Sequence, residues 1–459
     1  MTQGFSDRAQ SSLFILGLLT PLVLPAPSAL AGSLVLTGGR WAFPGSGGEA
    51  ELYGISIYEE IVDLSGGLDS AKIGIISTAS SRPERSAGFY LEDFDILYGD
   101  AADVEWIPIT VDTCEAYKND STSDIVNQIR NRNSFIFTGG DQSFITDCFF
   151  NEDPIAETRS DTALLTALQE QFDAGAVIAG TSAGTAVQPA DPMITNGETY
   201  EALLDGPVSF VGSPPFDNTL YYNPLGGLGF FDAGLIDSHF SERGRQGRLI
   251  RLAAELGIEM TYGVDENTSL IVTEDGTFEV LGQGGVFISD LAMAEVDEIN
   301  GLWAISGVKA TYLTEGDRFD PVTKTALFGE KSLLSGTAGL VSTTDNIFSR
   351  YDDEIGDWTN QRAFTETAIA LLNSQSVTAF GQSLESNPTY GVTFTQTPIT
   401  QGYAGIDSQG QQTISFANLQ IDIRPVPEPN NVLGLFGGLV GLVGWLGLTG
   451  RTHRQKPRP

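Results

Sequence analysis

Histidine is almost missing from this chain: among 459 residues there are two, His239 and His453. A protein zinc site usually draws on several imidazoles or thiolates at characteristic spacings. No such cluster occurs, so no metal and no cofactor is expected. Cysteine is equally scarce. Cys114 and Cys148 can close one disulfide in an oxidising compartment but supply no disulfide framework, and the sequence leaves their redox state open. Positive charge is the third deficit, with 24 Lys and Arg against 59 Asp and Glu and a formal net charge of −35. Phosphate backbones would be repelled and no basic face remains outside the last residues, which excludes a nucleic-acid partner. A soluble extracellular protein suits such a balance; a cationic substrate would fit it too, and solubility alone also accounts for an acidic surface. The P-loop and dinucleotide fingerprints are absent as well.

Both ends of the chain carry apolar runs. Residues 12–31 (SLFILGLLTPLVLPAPSALA) follow a short segment with Arg8 and finish in Ala29-Leu30-Ala31, the pattern of a cleaved secretory signal, so the mature chain is expected to begin near Gly32. At the other end Val426-Pro427-Glu428-Pro429 precedes an apolar, Gly-rich stretch from Val432 to Thr449 that is long enough to span a bilayer. Arg451, Arg454, Lys456 and Arg458 would then hold the extreme C-terminus on the cytoplasmic side. This arrangement resembles the PEP-CTERM sorting signal, which implies removal by an exosortase-type enzyme and a membrane attachment that lasts until processing. A plain single-span anchor is the alternative, and either places the body outside the cytoplasmic membrane.

Between the ends, short β-branched runs alternate with helical patterns, the signature of a parallel α/β architecture. Strands are expected at Ser33–Thr37, Lys72–Ser77, Val104–Ile109, Ser134–Thr138 and Ala176–Ala179, with helices near Glu49–Leu64, Glu84–Tyr98, Ser123–Asn131 and Asp161–Ala174. Nearly all-apolar strands point to one open, doubly wound, mostly parallel sheet. Residues 188–230 read as a long Pro- and Gly-rich connection, followed by a helix over Glu242–Leu256 and several short strands. The expected organisation is a signal peptide at 1–31, a catalytic domain at 32–325, a β-rich accessory region at 326–424 and a sorting segment at 425–459. Asp352, Asp353, Glu354 and Asp357 match no EF-hand spacing and read as a solvated acidic turn.

The sharpest motif is Gly180-Thr181-Ser182-Ala183-Gly184 at the end of the fifth strand. G-x-S-x-G permits a tight strand-to-helix turn that presents a serine Oγ at the carboxyl edge of the sheet, where open α/β sheets place their sites. Ser182 is therefore a candidate nucleophile. His239 is the only imidazole left for the folded body, and it stands just after an apolar run, where a strand end would bring it to the same rim. The strand SFIFTGGDQ ends in Gly139-Gly140, whose N–H, with that of Ala183, can form an oxyanion hole, while Asp141 suits a helix N-cap. Arg243, Arg245 and Arg248 crowd the expected start of the next helix, against its dipole. Binding of substrate carboxylates and pairing with the many acids both account for them. Gly263 to Thr268 closes a strand with adjacent Asp265 and Glu266, either of which can orient an imidazole or lie solvated in a turn.

TGGDQ (138–142), GTSAG (180–184), D-x-HFxxRxRxGRL (237–249), GVDENT (263–268) and TEGDRFD (314–320) occur in the order found in cyanophycinases, and the chain resembles that branch of the dipeptidase E-like serine peptidases over roughly residues 32–325. The resemblance implies a flavodoxin-like fold shared with class I glutamine amidotransferases. It implies Ser182 as nucleophile, His239 as base and Glu266 as triad acid, with Gln142, Asp237, Arg243, Arg245 and Arg248 at pocket positions. It also implies cyanophycin, a polyaspartate whose side chains carry arginine, as a peptide substrate cleaved to β-Asp-Arg, and it admits a homodimer. Ser238 departs from the family's usual glutamine, which leaves room for another β-aspartyl or acidic peptide. Two readings lie outside the family. An α/β-hydrolase esterase would take its acid from between Ser182 and His239, such as Asp205 or Asp217; a surface-anchored binding protein would need no triad.

Overall fold

The computed structural model describes residues 32–336 and 339–427, so the signal-like 1–31 and the sorting segment beyond Pro427 lie outside the described residues. Among the described residues no helix is long and apolar enough to cross a membrane.

The five early strands form as the sequence suggests. Ser33–Thr37, Val177–Thr181, Ser134–Phe137, Lys72–Ile76 and Asp103–Trp106 lie side by side, all parallel. Their side chains alternate between two cores. Leu34, Leu36, Phe135, Phe137 and Ile178 enter one core, while Val35, Ile73, Ile75, Ile136 and Val177 enter the other. Helix Glu49–Leu64 covers the second face with Ile57, Tyr58 and Ile61, and helix Ala163–Asp173 covers the first with Leu164, Leu165 and Leu168. Residues repeating at helical period on helices, and alternating along strands, give this doubly wound α/β layering. Side-chain caps fix where several of its helices start. Ser123 Oγ and Thr162 Oγ1 accept from the N–H of Val126 and Leu165, and Asp141, the expected cap, accepts from that of Ser143 at 2.9 Å.

Beyond Ser33–Thr37 the sheet continues antiparallel through Thr268–Val272, Phe278–Gly282, Arg318–Asp320 and Thr325–Leu327. A single sheet is not the whole architecture. Leu235–Asp237 and Met260–Val264 run parallel in a second sheet, which continues through Gly285–Asp290, Leu302–Thr314, Gln412–Pro425, Tyr390–Thr395 and Thr378–Gln382. The expected boundary at 325 therefore falls between strands that share one sheet: Leu302–Thr314 pairs directly with Gln412–Pro425. Residues 326–424 also contain a helix, Ala363–Leu372, which buries Phe364, Ala368 and Leu371 in the core of the second sheet.

Two expectations are corrected. Residues 188–230 are not a bare connection but hold the strands Met193–Asn196 and Tyr221–Asn223 and the helix Thr199–Asp205. The helix after His239 begins at Gln246 and not at Glu242. Gly244 causes the delay: it sits at φ +57°, outside the helical region, packed against the carbonyl of Phe348. Cys114 and Cys148 are joined in a buried disulfide. The acidic run at 352–357 is the turn of a hairpin between Arg350–Asp352 and Asp357–Thr359.

Candidate active site

The two sheets meet where their parallel strands end. Ser182 follows Val177–Thr181 of the first sheet, His239 follows Leu235–Asp237 of the second, and Glu266 lies in the link from Met260–Val264 of the second sheet to Thr268–Val272 of the first. Ser182 has φ 55° and ψ −113°, a strained conformation for a residue with a Cβ. Its turn is tied down from several sides. The N–H of Ser182 donates to Thr37 O at 3.1 Å, and Thr185 Oγ1 donates to Thr37 O at 2.7 Å and Gly180 O at 2.9 Å. The imidazole lies over Gly39, where a Cβ would fall 2.1 Å from His239 Cε1; only glycine leaves room for the ring. The neighbouring Gly38 carbonyl accepts the His239 N–H at 2.7 Å.

His239 Nε2 lies 2.8 Å from Ser182 Oγ, and Nδ1 lies 2.7 Å from Glu266 Oε1. An ionised carboxylate can only accept, so Nδ1 carries the proton and Nε2 is left to accept from the serine hydroxyl. Burial depresses the His239 pKa well below its ordinary value, with the Arg243 and Arg245 charges adding to the effect. Burial raises the Glu266 pKa, and Arg40, whose Nε stands 3.3 Å from Oε2, opposes the rise. Such a constellation can deprotonate a hydroxyl and stabilise the imidazolium that forms. Neither Asp205 nor Asp217 is bonded to His239 among the described residues. The N–H groups of Gly140 and Ala183 donate to no other group among the described residues, and both residues line the cavity in front of Ser182.

The arginines divide into two kinds. Arg248 grips the buried Asp237 with two bonds, Nε to Oδ2 and Nη2 to Oδ1, each 2.8 Å, and Arg245 Nη1 reaches Oδ1 at 3.2 Å. Burial alone would raise the Asp237 pKa, but Arg248 and Arg245 outweigh it and hold the carboxyl below its usual range. Burial brings Arg245 down to about 9, with Arg248 contributing. Pairing with acids thus accounts for these two. Arg243 differs: no carboxylate bonds it among the described residues, and its guanidinium stands over the Trp358 ring, 5.5 Å from the centroid. Gln142 donates from Nε2 to the carbonyls of Ile194 and Thr195, at 2.8 and 2.9 Å, and so fixes the 188–230 segment against the cavity.

The cavity at Ser182 has a volume of about 210 Å³ and is lined by Gln142, Ser238, His239 and Arg243 among others. A larger one, about 630 Å³, shares Asn196, Phe216, Arg243 and Arg245 with it. Tyr351, Asp353, Asp357, Trp358 and Glu385 form part of its wall. Glu198 also lines it, its pKa raised to about 7 by burial, against the lowering influence of Arg248. Sequence reasoning missed Arg40, Glu198, Trp358 and the Gly38-Gly39 pair. A signal for the last was present, because Thr37-Gly38-Gly39 repeats, at the end of a parallel strand, the Thr138-Gly139-Gly140 pattern. Among the described residues no group of three or more His, Cys, Asp or Glu is placed to hold a metal ion.

Residues 43–280 match the profile of Peptidase family S51. A cyanophycinase of Synechococcus elongatus is 27% identical over 290 residues, which cover 60% of this chain and 77% of that protein. A cyanophycinase of Trichormus variabilis is 28% identical over 288 residues, 61% of this chain and 85% of that one. The crystal structure of a peptidase from an acI-B1 Actinobacterium aligns at 17% identity with a TM-score of 0.40, over 64% of this chain and 98% of the other.

Proposed function

The chain belongs to peptidase family S51 and is a serine-type peptidase, and from that premise we propose that Ser182, His239 and Glu266 form its catalytic triad and that its substrate is cyanophycin, cleaved to β-Asp-Arg dipeptides. His239 Nε2 takes the proton of Ser182 as Oγ attacks the scissile carbonyl carbon. The N–H groups of Gly140 and Ala183 receive the oxyanion. The imidazolium, opposed by Glu266, then protonates the leaving amine, and a water deprotonated by His239 releases the acyl group.

Arg243 receives a free carboxylate of the substrate, while Gln142, Asp237, Arg245 and Arg248 shape the pocket around it. The guanidinium groups of the polymer suit the larger cavity, whose lining includes Glu198, Glu201, Asp353 and Glu385 beside Tyr351 and Trp358. The observation that carries the reading is the continuous Ser182–His239–Glu266 hydrogen-bond chain at the mouth of a cavity that also holds the Arg243 guanidinium, which no carboxylate pairs among the described residues. Ser238 lines that cavity where the resembling family usually has glutamine, and this favours, as a second reading, another β-aspartyl peptide.

We further propose export, followed by removal of the Pro-Glu-Pro tail by an exosortase-type enzyme, on the strength of the apolar run at 12–31 and the tail sequence. Incubation of the purified mature chain with cyanophycin, with β-Asp-Arg followed by mass spectrometry, tests the substrate. Release that disappears in Ser182→Ala supports it; an inert wild-type chain that cleaves other β-aspartyl peptides selects the second reading.

A further inference from the structure

Arg362 lies outside residues 43–280, yet it reaches both loops that carry the candidate base and acid. Its Nη1 bonds Glu242 Oε1 at 2.6 Å and Asp265 Oδ2 at 2.8 Å, its Nη2 donates to Tyr312 Oη at 2.9 Å, and its backbone N–H donates to Ser241 O at 2.9 Å. Ser241 and Glu242 follow His239 in its loop; Asp265 immediately precedes Glu266. The same acids tie the loops together directly. Glu242 Oε2 accepts the N–H of Glu266 at 3.1 Å, and Asp265 Oδ1 accepts that of Ser241 at 3.0 Å.

We propose that Arg362 is a positioning residue: by clamping Glu242 to Asp265 it holds the His239 loop at the right distance from the Glu266 loop, so that the triad depends on the C-terminal region. The inference rests on the proposed triad. Glu242 and Asp265 are both buried, and Arg362 is the only cation within ion-pairing distance of either among the described residues. Without it two buried carboxylates would face each other uncompensated, and relief requires either protonation or separation of the loops they belong to. A weaker link runs in the same direction, since Asp357 pairs with Arg40 at 3.3 Å and Arg40 with Glu266 at 3.3 Å, with Arg40 itself half exposed and so screened by water. A shift of about 1 Å in the relation of base to nucleophile can cost on the order of 100-fold in rate.

The test uses the full chain and a fluorophosphonate probe, in which Ser182 Oγ displaces fluoride from phosphorus with its proton passing to His239. Labelling reports nucleophile activation whatever the natural substrate. Wild-type labelling at Ser182 that is lost in Ser182→Ala establishes the premise; absence of wild-type labelling would remove the triad and this inference with it. In Arg362→Met, with folding checked by circular dichroism, we expect the maximal labelling rate to fall about tenfold or more at nearly constant probe affinity. Arg362→Lys, which keeps the charge but reaches fewer acceptors, should fall between. A folded Arg362→Met at the wild-type rate overturns the proposal. If Arg362→Met does not fold, Arg362→Lys decides: a slower rate in the folded variant supports positioning, and a wild-type rate overturns it.

Discussion

Asp265 and Glu266 are adjacent carboxylates with opposite duties. Glu266 faces the imidazole, whereas Asp265 is fully buried and accepts from Ser241, Gly285, Tyr312 and Arg362. Glu266→Gln should therefore lower kcat on the order of 10²–10⁴-fold with little change in melting temperature. Asp265→Asn should differ in kind: it should destabilise by about 3 kcal/mol as Arg362 loses a buried partner and, through the loosened clamp on the His239 and Glu266 loops, lower kcat as well; thermal melts run beside the kinetics separate the two variants. A second expectation concerns protons. Because the His239 pKa is depressed, the neutral base persists to lower pH than for a free imidazole, so kcat/KM should climb with pH through a midpoint below about 6.5. A midpoint near or above about 7 would contradict it. That Ser182 and His239 would meet at one rim was legible in the sequence, because one sits in a motif with a mechanical reason and the other is the only imidazole left for the folded body. Asp265 was not, since a buried acid and a solvated one look alike until their partners, here as distant as Arg362, are known.

Elements, more than single residues, decide what the arginines do. The turn at Gly244 starts the helix at Gln246, so Arg248 projects from its first turn onto Asp237 while Arg243 remains before it. Arg248→Ala should consequently destabilise the fold by about 3 kcal/mol by stranding Asp237, and Arg243→Ala should raise KM for a carboxylate-bearing substrate with the melting temperature nearly unchanged. Equal effects in the two variants would argue against the division. The cavity walled by residues 349–358 makes its own prediction: a cationic substrate should bind more tightly as pH rises through about 7, where Glu198 ionises, and Glu198→Gln should flatten that dependence of KM. The parallel strands and their covering helices were legible from period alone. The helix Ala363–Leu372 was not, because Ser, Thr and Gly dominate its surroundings and its apolar face is explained only by the second sheet it covers.

At the scale of the whole molecule, the catalytic and C-terminal regions share one sheet, with Leu302–Thr314 paired to Gln412–Pro425 and Thr314 Oγ1 bonded to Ser415 Oγ at 2.8 Å. A chain ending at Pro427 should keep its activity, since Val426 N–H still closes onto Thr389 O at 2.7 Å. One ending at residue 325 should lose cooperative unfolding and activity together, which calorimetry and peptide hydrolysis would reveal. An order of unfolding transitions in which residues 32–325 survive alone would refute this. The same pairing has a consequence in time. Contacts between distant stretches form late, and a ribosome delivers the N-terminal strands first. The stretches that carry Ser182, His239 and Glu266 are thus made well before the strand Gln412–Pro425, and the second sheet can close only once the chain has been synthesised to its last strand.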